Sequence, residues 1–402
     1  MDSFLNIHRD AIVGTLSTFD RLNFKGHLTT LYHSLDVFLY RQGVLLKDFK
    51  AYVTGVSSAF KAHAQAVAAA ADRPYIYLEK ATTKRQGRSK EEEARAIAER
   101  DGIEEGLVCV FGVLEPCGSF TVQSNRAARR LQVTRKATKC LHFYFYFLDP
   151  ELGFLHVRLQ SWFPFTVQVW INGREWLARQ LDREGIGYER RHNAFLHIDD
   201  VARAQQLCER LARRKWPRLL NGLVRKLNPM LPVLRAAGFG GYYWVIDQAE
   251  YATDLMFRNR ASLEAIYPEL VHYAMTTCGA KDVMRFLGRK LHGNFRGEVT
   301  TDIKHRTEGV RIKHTLKRNS LKMYDKWHVL RIDVTINNPR EFKVLRVVET
   351  RRGRRSWRWL PMGKGVANLY RYAQVSEQAI SRYLEVLAHV QPKGKAIEKL
   401  DR

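Results

Sequence analysis

The chain has 402 residues, a formal net charge of +26, a pI near 10, and 45% hydrophobic and 27% charged residues. That length is too great for one ordinary core, so two or three domains are expected. No apolar run approaches the roughly 18–20 residues of a membrane helix, and so large a positive charge points instead to a polyanionic partner gripped through counterion release.

Residues 1–72 read as mainly helical, with an Ala-rich helix former over 49–71. The opening MDSFLNIHRD carries early charges and no signal-peptide core, so the expected compartment is the cytoplasm. Residues 75–79 read as a short strand and 80–88 as a basic connector. Ser89 and Glu92 then form a capping box for the helix KEEEARAIAER, with Gly102 as its stop. Residues 107–114 form an apolar strand ending at Glu115-Pro116-Cys117, and the basic run 123–139 is an exposed hairpin or loop.

The middle alternates element types. Residues 142–147, 155–162 and 166–171 read as strands, 175–184 as a helix stopped by Gly185, and 194–198 as another strand. Asp199 and Asp200 cap a helix from 201 to about 214. A helix between two strands invites a parallel crossover, with an α+β layout equally open. Pro217, Pro229, Pro232 and the run Gly238-Phe239-Gly240-Gly241 suggest a hinge or boundary. Beyond it 243–257 and 263–275 read as helices, 281–291 as a short basic helix, and 380–388 as a closing amphipathic helix.

The expected fold class is therefore α/β or α+β: a multi-domain chain with a mixed sheet core and a basic, strand-rich C-terminal region. Its expected divisions are 1–105, 106–235 and 236–402. Five cysteines (Cys109, Cys117, Cys140, Cys208, Cys278) with no CxxC pair read as reduced core thiols rather than a disulfide frame or zinc ribbon.

Charge concentrates at the C-terminal end. Residues 281–402 hold 29 Lys/Arg against 12 Asp/Glu, a net +17 of the total +26. Three strands are expected between 310 and 337. In the first, alternation puts Arg311, Lys313 and Lys317 on one face as a phosphate grip, and His314 on the apolar side. A histidine there is either a core residue or a catalytic one. In the second strand Lys322, Tyr324 and Lys326 share a face, so either the lysines stabilise a Tyr324 phenolate or flank a base-stacking ring, or Tyr324 is a structural strand residue. In the third, Arg331, Asp333 and Thr335 point outward, with Asp333 either a metal ligand or an ion-pair partner. Arg289 and Lys290, and the run RRGRRSWRW with Arg351, Arg352, Arg354, Arg355 and Trp357, add phosphate and base contacts. The aromatic stretches His142-Phe143-Tyr144-Phe145-Tyr146-Phe147 and Trp162-Phe163-Pro164-Phe165 read as sheet core or as stacking platforms.

The pattern Tyr324-Asp325-Lys326, a short turn, then Leu330-Arg331-Ile332-Asp333 resembles the "YDK…LRxE" hairpin of rolling-circle plasmid and phage replication initiators. The resemblance implies DNA nicking by a tyrosine beside a metal held by acidic and histidine side chains, and it maps the hairpin carboxylate onto Asp333. It does not say whether Tyr324 is the nucleophile; the chain lacks a His-x-His strand and has Asp333 where glutamate is usual. Through FDRLNFKG, EPC, KCLHFYFYF, EYATD, FLGRKLH and KMYDK the whole chain also resembles a broad bacterial family to which no activity is attached.

Other carboxylates remain to be placed. Glu250 and Asp254 are four apart, on one face if helical, and Glu298 lies in a loop-like stretch. With Asp333 these acids would form the cluster of a metal-dependent nuclease, with Asp254, Glu298 and Asp333 as ligands of Mg²⁺ or Mn²⁺, or else they pair with neighbouring arginines such as Arg258. Glu79, Glu115, His142 and His156 form an alternative centre. The expected function is nucleic-acid binding, with DNA processing by a nickase or metal-dependent endonuclease of a mobile element or replicon. The alternatives are a non-catalytic DNA- or RNA-binding protein recognising a structured element, and an enzyme for a small anionic substrate.

Overall fold

The computed structural model describes residues 1–27, 76–80, 90–116, 120–123, 130–133, 139–160, 166–191, 194–226, 243–276, 299–306, 309–349, 353 and 355–388, and isolated positions between 43 and 62. A short helix, Asp2–Ile7, precedes the 16-residue strand β1, Ile12–His27. This corrects the helical reading for residues 12–27. The run mixes β-branched and aromatic residues, which suit a pleated buried surface, and Leu16, Phe19, Leu22 and Phe24 are all buried. The Ala-rich stretch 49–71 lies outside the described residues except at isolated positions.

β2 (Ile76–Lys80) and β3 (Gly106–Pro116) pair in parallel, with the helix Lys90–Arg100 between them in sequence. That helix buries Ala94, Ile97 and Ala98 in a cluster with Val108, Phe111 and Tyr146. Gly102 follows it at φ +60°, the left-handed conformation that glycine adopts without strain. β4 (Phe120–Gln123) and β5 (Arg130–Val133) form a hairpin that overlaps the basic run 123–139, whose residues 134–138 lie outside the described residues. β6 (Lys139–Asp149), β7 (Gly153–Gln160) and β8 (Val167–Asn172) are antiparallel neighbours.

After β8 come the helix Gly173–Glu184, the hairpin β9 (Tyr188–Arg191) and β10 (Ala194–Ile198), and the helix Val201–Ala212. Asp200 caps that helix by accepting from the Arg203 amide, as its sequence position implies. No parallel crossover forms around Gly173–Glu184, because β9 and β10 pair only with each other. Pro217 occupies the first turn of the helix Trp216–Lys226, where its missing N–H costs nothing.

Residues 243–257 are not a helix but the strand β11, Tyr243–Phe257. Two short helices follow, Arg260–Glu264 and Tyr267–Thr276, in place of a single one. β12 (Val299–Arg306), β13 (Gly309–Leu316), β14 (Asn319–Lys326) and β15 (Val329–Ile336) make an antiparallel meander, and β16 (Lys343–Glu349) and β17 (Arg355–Pro361) a separate hairpin. The closing helix, Leu369–Leu387, begins well before residue 380.

The fold is α+β, and the chain forms two compact units, each assembled from separated segments. The first comprises residues 1–22, 173–214 and 247–402, with strand order β12-β13-β14-β15-β11-β1. The second comprises 23–172 and 215–246, with strand order β8-β7-β6-β3-β2. The sequence reading instead divides the chain into three consecutive segments. Among the described residues no helix is long and apolar enough to cross a membrane.

In the second unit the aromatic strands build core, and a cross-strand ladder stacks Tyr146, His156 and Trp170. Their ring centroids lie 4.8 and 4.5 Å apart. Burial lowers the His156 pKa from 6.5 to about 4. The unfolded chain therefore takes up this proton first, and stability is lost as pH falls from about 6.5 to about 4. The loss amounts to as much as roughly 3 kcal/mol. Urea titrations at pH 7 and pH 5 test this: His156→Phe should narrow the gap between the two midpoints, and an unchanged gap would contradict it.

Candidate functional site

The centre of the first unit's sheet has one apolar and one charged face. Toward the helix Leu369–Leu387 go Leu321, Met323, Leu330, Ile332 and Val334, all buried. His314 belongs to this side: it is 1% exposed, with Nε2 3.4 Å from the Tyr383 hydroxyl. The structure thus places His314 in the core, on the face opposite Asp333, and removes it from the candidate chemistry. Asp325 shares this side with Leu321 and Met323 and pairs with Arg260 at 2.8 Å.

The charged face follows from register. Lys313 pairs across to Lys322, Lys322 to Asp333, and Asp333 to Ala252. One step along, Arg311, Tyr324, Arg331 and Asp254 line up, and one step the other way Ser320, Thr335 and Glu250. Glu250 and Asp254 do share a face, but by the period-2 alternation of β11 rather than by a helical turn. Asp333 and Arg331 are 0% exposed, so this face is interior and not the outward surface that alternation suggested.

Asp20 of β1 completes the site, although nothing in the sequence reading singled it out beyond its place in FDRLNFKG. Its carboxylate receives Arg174 Nε at 3.1 Å and Arg331 Nη1 at 3.3 Å. Arg331 also donates Nε and Nη2 to the two Asp254 oxygens at 2.6 and 3.0 Å, and Arg174 Nη1 lies 2.9 Å from Asp254. Asp254, 0% exposed, is thereby held between two guanidiniums as a structural anion rather than a metal ligand. Arg174 reaches in because the chain at Gly173 passes against β1. A Cβ there would stand 2.0 Å from the Phe19 carbonyl oxygen, so only glycine fits.

One ligand atom each from Asp20, Glu250 and Asp333 lies within 4.8 Å of the others. Burial opposes ionisation of Asp20, but Arg331 and Arg174 outweigh it and bring its carboxyl down to about 2. Burial, reinforced by the charges of Asp20 and Glu250, raises Asp333 to about 7. Asp333 accepts a hydrogen bond from the Tyr324 hydroxyl at 2.7 Å through Oδ2, while its buried Oδ1 has no hydrogen-bond partner. The Lys322 ammonium donates to Glu250 and stands 4.0 Å from Asp333 Oδ2.

Several expectations change here. Burial, with Asp333 adding, pushes the Tyr324 hydroxyl well above its usual range, so the lysines do not stabilise a phenolate. Lys322 and Lys326 serve the interior: burial lowers Lys326 to about 8, with Arg331 adding to the shift, and its ammonium sits 5.6 Å from the Tyr324 ring centroid. Lys317 lies beyond β13 in a two-residue turn at φ +52° and 3.9 Å from Glu341, off the strand face of Arg311 and Lys313. Arg311 and Lys313, half-buried, continue the charged face outward as expected. Glu298, Arg289, Lys290, Arg351, Arg352 and Arg354 lie outside the described residues, as do the side chains of Glu79 and Glu115. Arg355 and Trp357 are on β17 and exposed. His156 is one ring of the aromatic ladder, and His142 is buried on β6.

No family model matches the chain, and no curated protein or solved structure matches it.

Proposed function

We propose that this protein binds nucleic acid and cleaves its phosphodiester backbone with a divalent cation, Mg²⁺ or Mn²⁺, held by Asp20, Glu250 and Asp333. The observation that carries the reading is that these three carboxylates converge within 4.8 Å on the sheet face that also bears Arg311, Lys313 and Lys322. The donor set fits a hard cation: all three are carboxylates, and Asp333 Oδ1 is a buried acceptor with no hydrogen bond. Such a cation, when bound, supplies Lewis acidity at a phosphoryl oxygen and a more acidic water.

The chain's own residues account for the rest. Arg174, Arg331 and Asp254 position Asp20, and the Tyr324 hydroxyl orients Asp333. Arg311 and Lys313 lie beside the cluster to hold the backbone phosphates, and Lys322 is free to turn toward a phosphate once a cation neutralises Glu250. The net charge of +26 supports a polyanionic substrate. Tyr324 is 7% exposed and bonded to Asp333, which favours the endonuclease over the tyrosyl nickase. Assignment to a mobile element or replicon rests on the YDK…LRID resemblance alone.

Single- and double-stranded DNA and RNA, incubated with and without Mg²⁺ or Mn²⁺, provide the test. Cleavage should require the metal, and Tyr324→Phe should lower it by about 10–100-fold without abolishing it, since one hydrogen bond to a ligand is lost. A covalent protein–DNA adduct that disappears in Tyr324→Phe would restore the nickase. Absence of product beside salt-sensitive binding would leave the non-catalytic binder. Binding without a salt slope would remove nucleic acid altogether.

A further inference from the structure

The hairpin β16–β17 breaks the ordinary rule for large apolar side chains. Its register pairs Leu345 with Trp359 and Val347 with Trp357, so these four residues share one face. All four are exposed: Leu345 by 43%, Val347 by 47%, Trp357 by 68% and Trp359 by 59%. They form a contiguous apolar strip on a two-stranded ribbon, and single exposed hydrophobics do not do this by chance.

The hairpin is cationic in sequence, and Arg355 lies on the face of the strip, across from Glu349. Residues 351–358 contain Arg351, Arg352, Arg354, Arg355 and Arg358, whereas Glu349 is the hairpin's sole acid between 343 and 361. An apolar protein partner would meet so cationic a sequence unfavourably, whereas a nucleic-acid strand offers flat apolar base faces and anionic phosphates together. In a duplex the base faces are hidden by stacking, so the strip matches an unpaired strand.

Spacing sharpens the match. Side chains two apart on a strand stand about 6.6 Å apart and roughly perpendicular to the sheet. That gap is twice the rise of about 3.4 Å between stacked bases, which leaves room for one base between Trp357 and Trp359. We propose that the β16–β17 hairpin is a single-strand platform: Trp357 and Trp359 clasp an unpaired base over Leu345 and Val347, and Arg355, exposed on the same face, holds a flanking phosphate. This rests on the nucleic-acid reading of the protein and adds the form of nucleic acid it takes.

The test uses the full chain and its Trp357→Ala/Trp359→Ala variant, with fluorescently labelled single-stranded and duplex oligonucleotides of one sequence and phosphatidylserine vesicles as a third arm. Anisotropy titrations over a range of salt should show single-strand affinity falling at least tenfold in the variant, with duplex affinity changed less than threefold and the salt slope kept. Both tryptophans are exposed, so circular dichroism should show the fold retained. Equal losses on single strand and duplex, or no loss, would overturn the platform while leaving nucleic-acid binding intact. If the wild-type chain binds neither oligonucleotide with a salt slope, the broader reading fails first. Vesicle binding that is lost in the variant while oligonucleotide binding persists would reassign the strip to a lipid surface.

Discussion

Replacing Arg331 by methionine is expected to cost about 3–5 kcal/mol, the range for removing one partner from a buried ion pair. Arg331 is 0% exposed and spends three donors on Asp254 and Asp20 at 2.6 to 3.3 Å. Methionine fills similar space, but Asp254, itself 0% exposed, is left with Arg174 alone. The dominant penalty is the uncompensated buried charge, not lost packing. Against a total of roughly 5–15 kcal/mol for a domain, that is a large fraction. Urea titration should show a lower midpoint with a similar slope. Arg331→Met/Asp254→Leu should regain part of the loss, because the stranded anion is gone. A single variant losing less than about 1 kcal/mol would mean that the charge network does not hold this sheet face together.

Asp333→Asn should lower metal-dependent cleavage by at least about 100-fold, because even residues behind the ligands of a metal site commonly account for 10–100-fold. The same change should not destabilise the protein. Asparagine still accepts from the Tyr324 hydroxyl, as Asp333 Oδ2 now does at 2.7 Å. It also removes one of three carboxylates gathered within 4.8 Å, whose mutual repulsion opposes folding in the absence of a cation. Activity and stability should therefore move in opposite directions, as in sites where function is held at the expense of stability. Calorimetric Mn²⁺ titration should lose its binding isotherm in parallel. Retained cleavage and retained Mn²⁺ binding in Asp333→Asn would remove the carboxylate cluster from the chemistry.

The parts of the fold legible in the sequence are those with local causes. Asp200 caps its helix because a short carboxylate reaches an amide three residues on. Gly102 and Gly185 end helices at φ +60° and +63°, where side-chained residues are strained. The β14–β15 hairpin follows from alternating positions around a two-residue turn. What misled was composition without context. Residues 243–257 contain alanine, glutamate and glutamine, which suit a helix, but Tyr243–Phe257 is a strand whose second half is buried throughout. Tertiary packing there overrides a weak local preference.

The sequence by itself determined the cationic excess, most of the strands, and the face each residue takes on its own strand, because side chains alternate with a period of two whatever lies beside them. Only the tertiary structure decided which strands are neighbours, and so which acids meet. Arg331 and Asp20 are 311 positions apart, yet they touch because β15, β11 and β1 are consecutive in the sheet. The same packing decided chemistry: in water Asp333 would be an ordinary carboxylate and Tyr324 an ordinary phenol. Buried side by side, next to Asp20 and Glu250, both have their pKa raised, Asp333 to about 7. Desolvation and like charge act only once distant segments have closed over the group, and no local pattern encodes them.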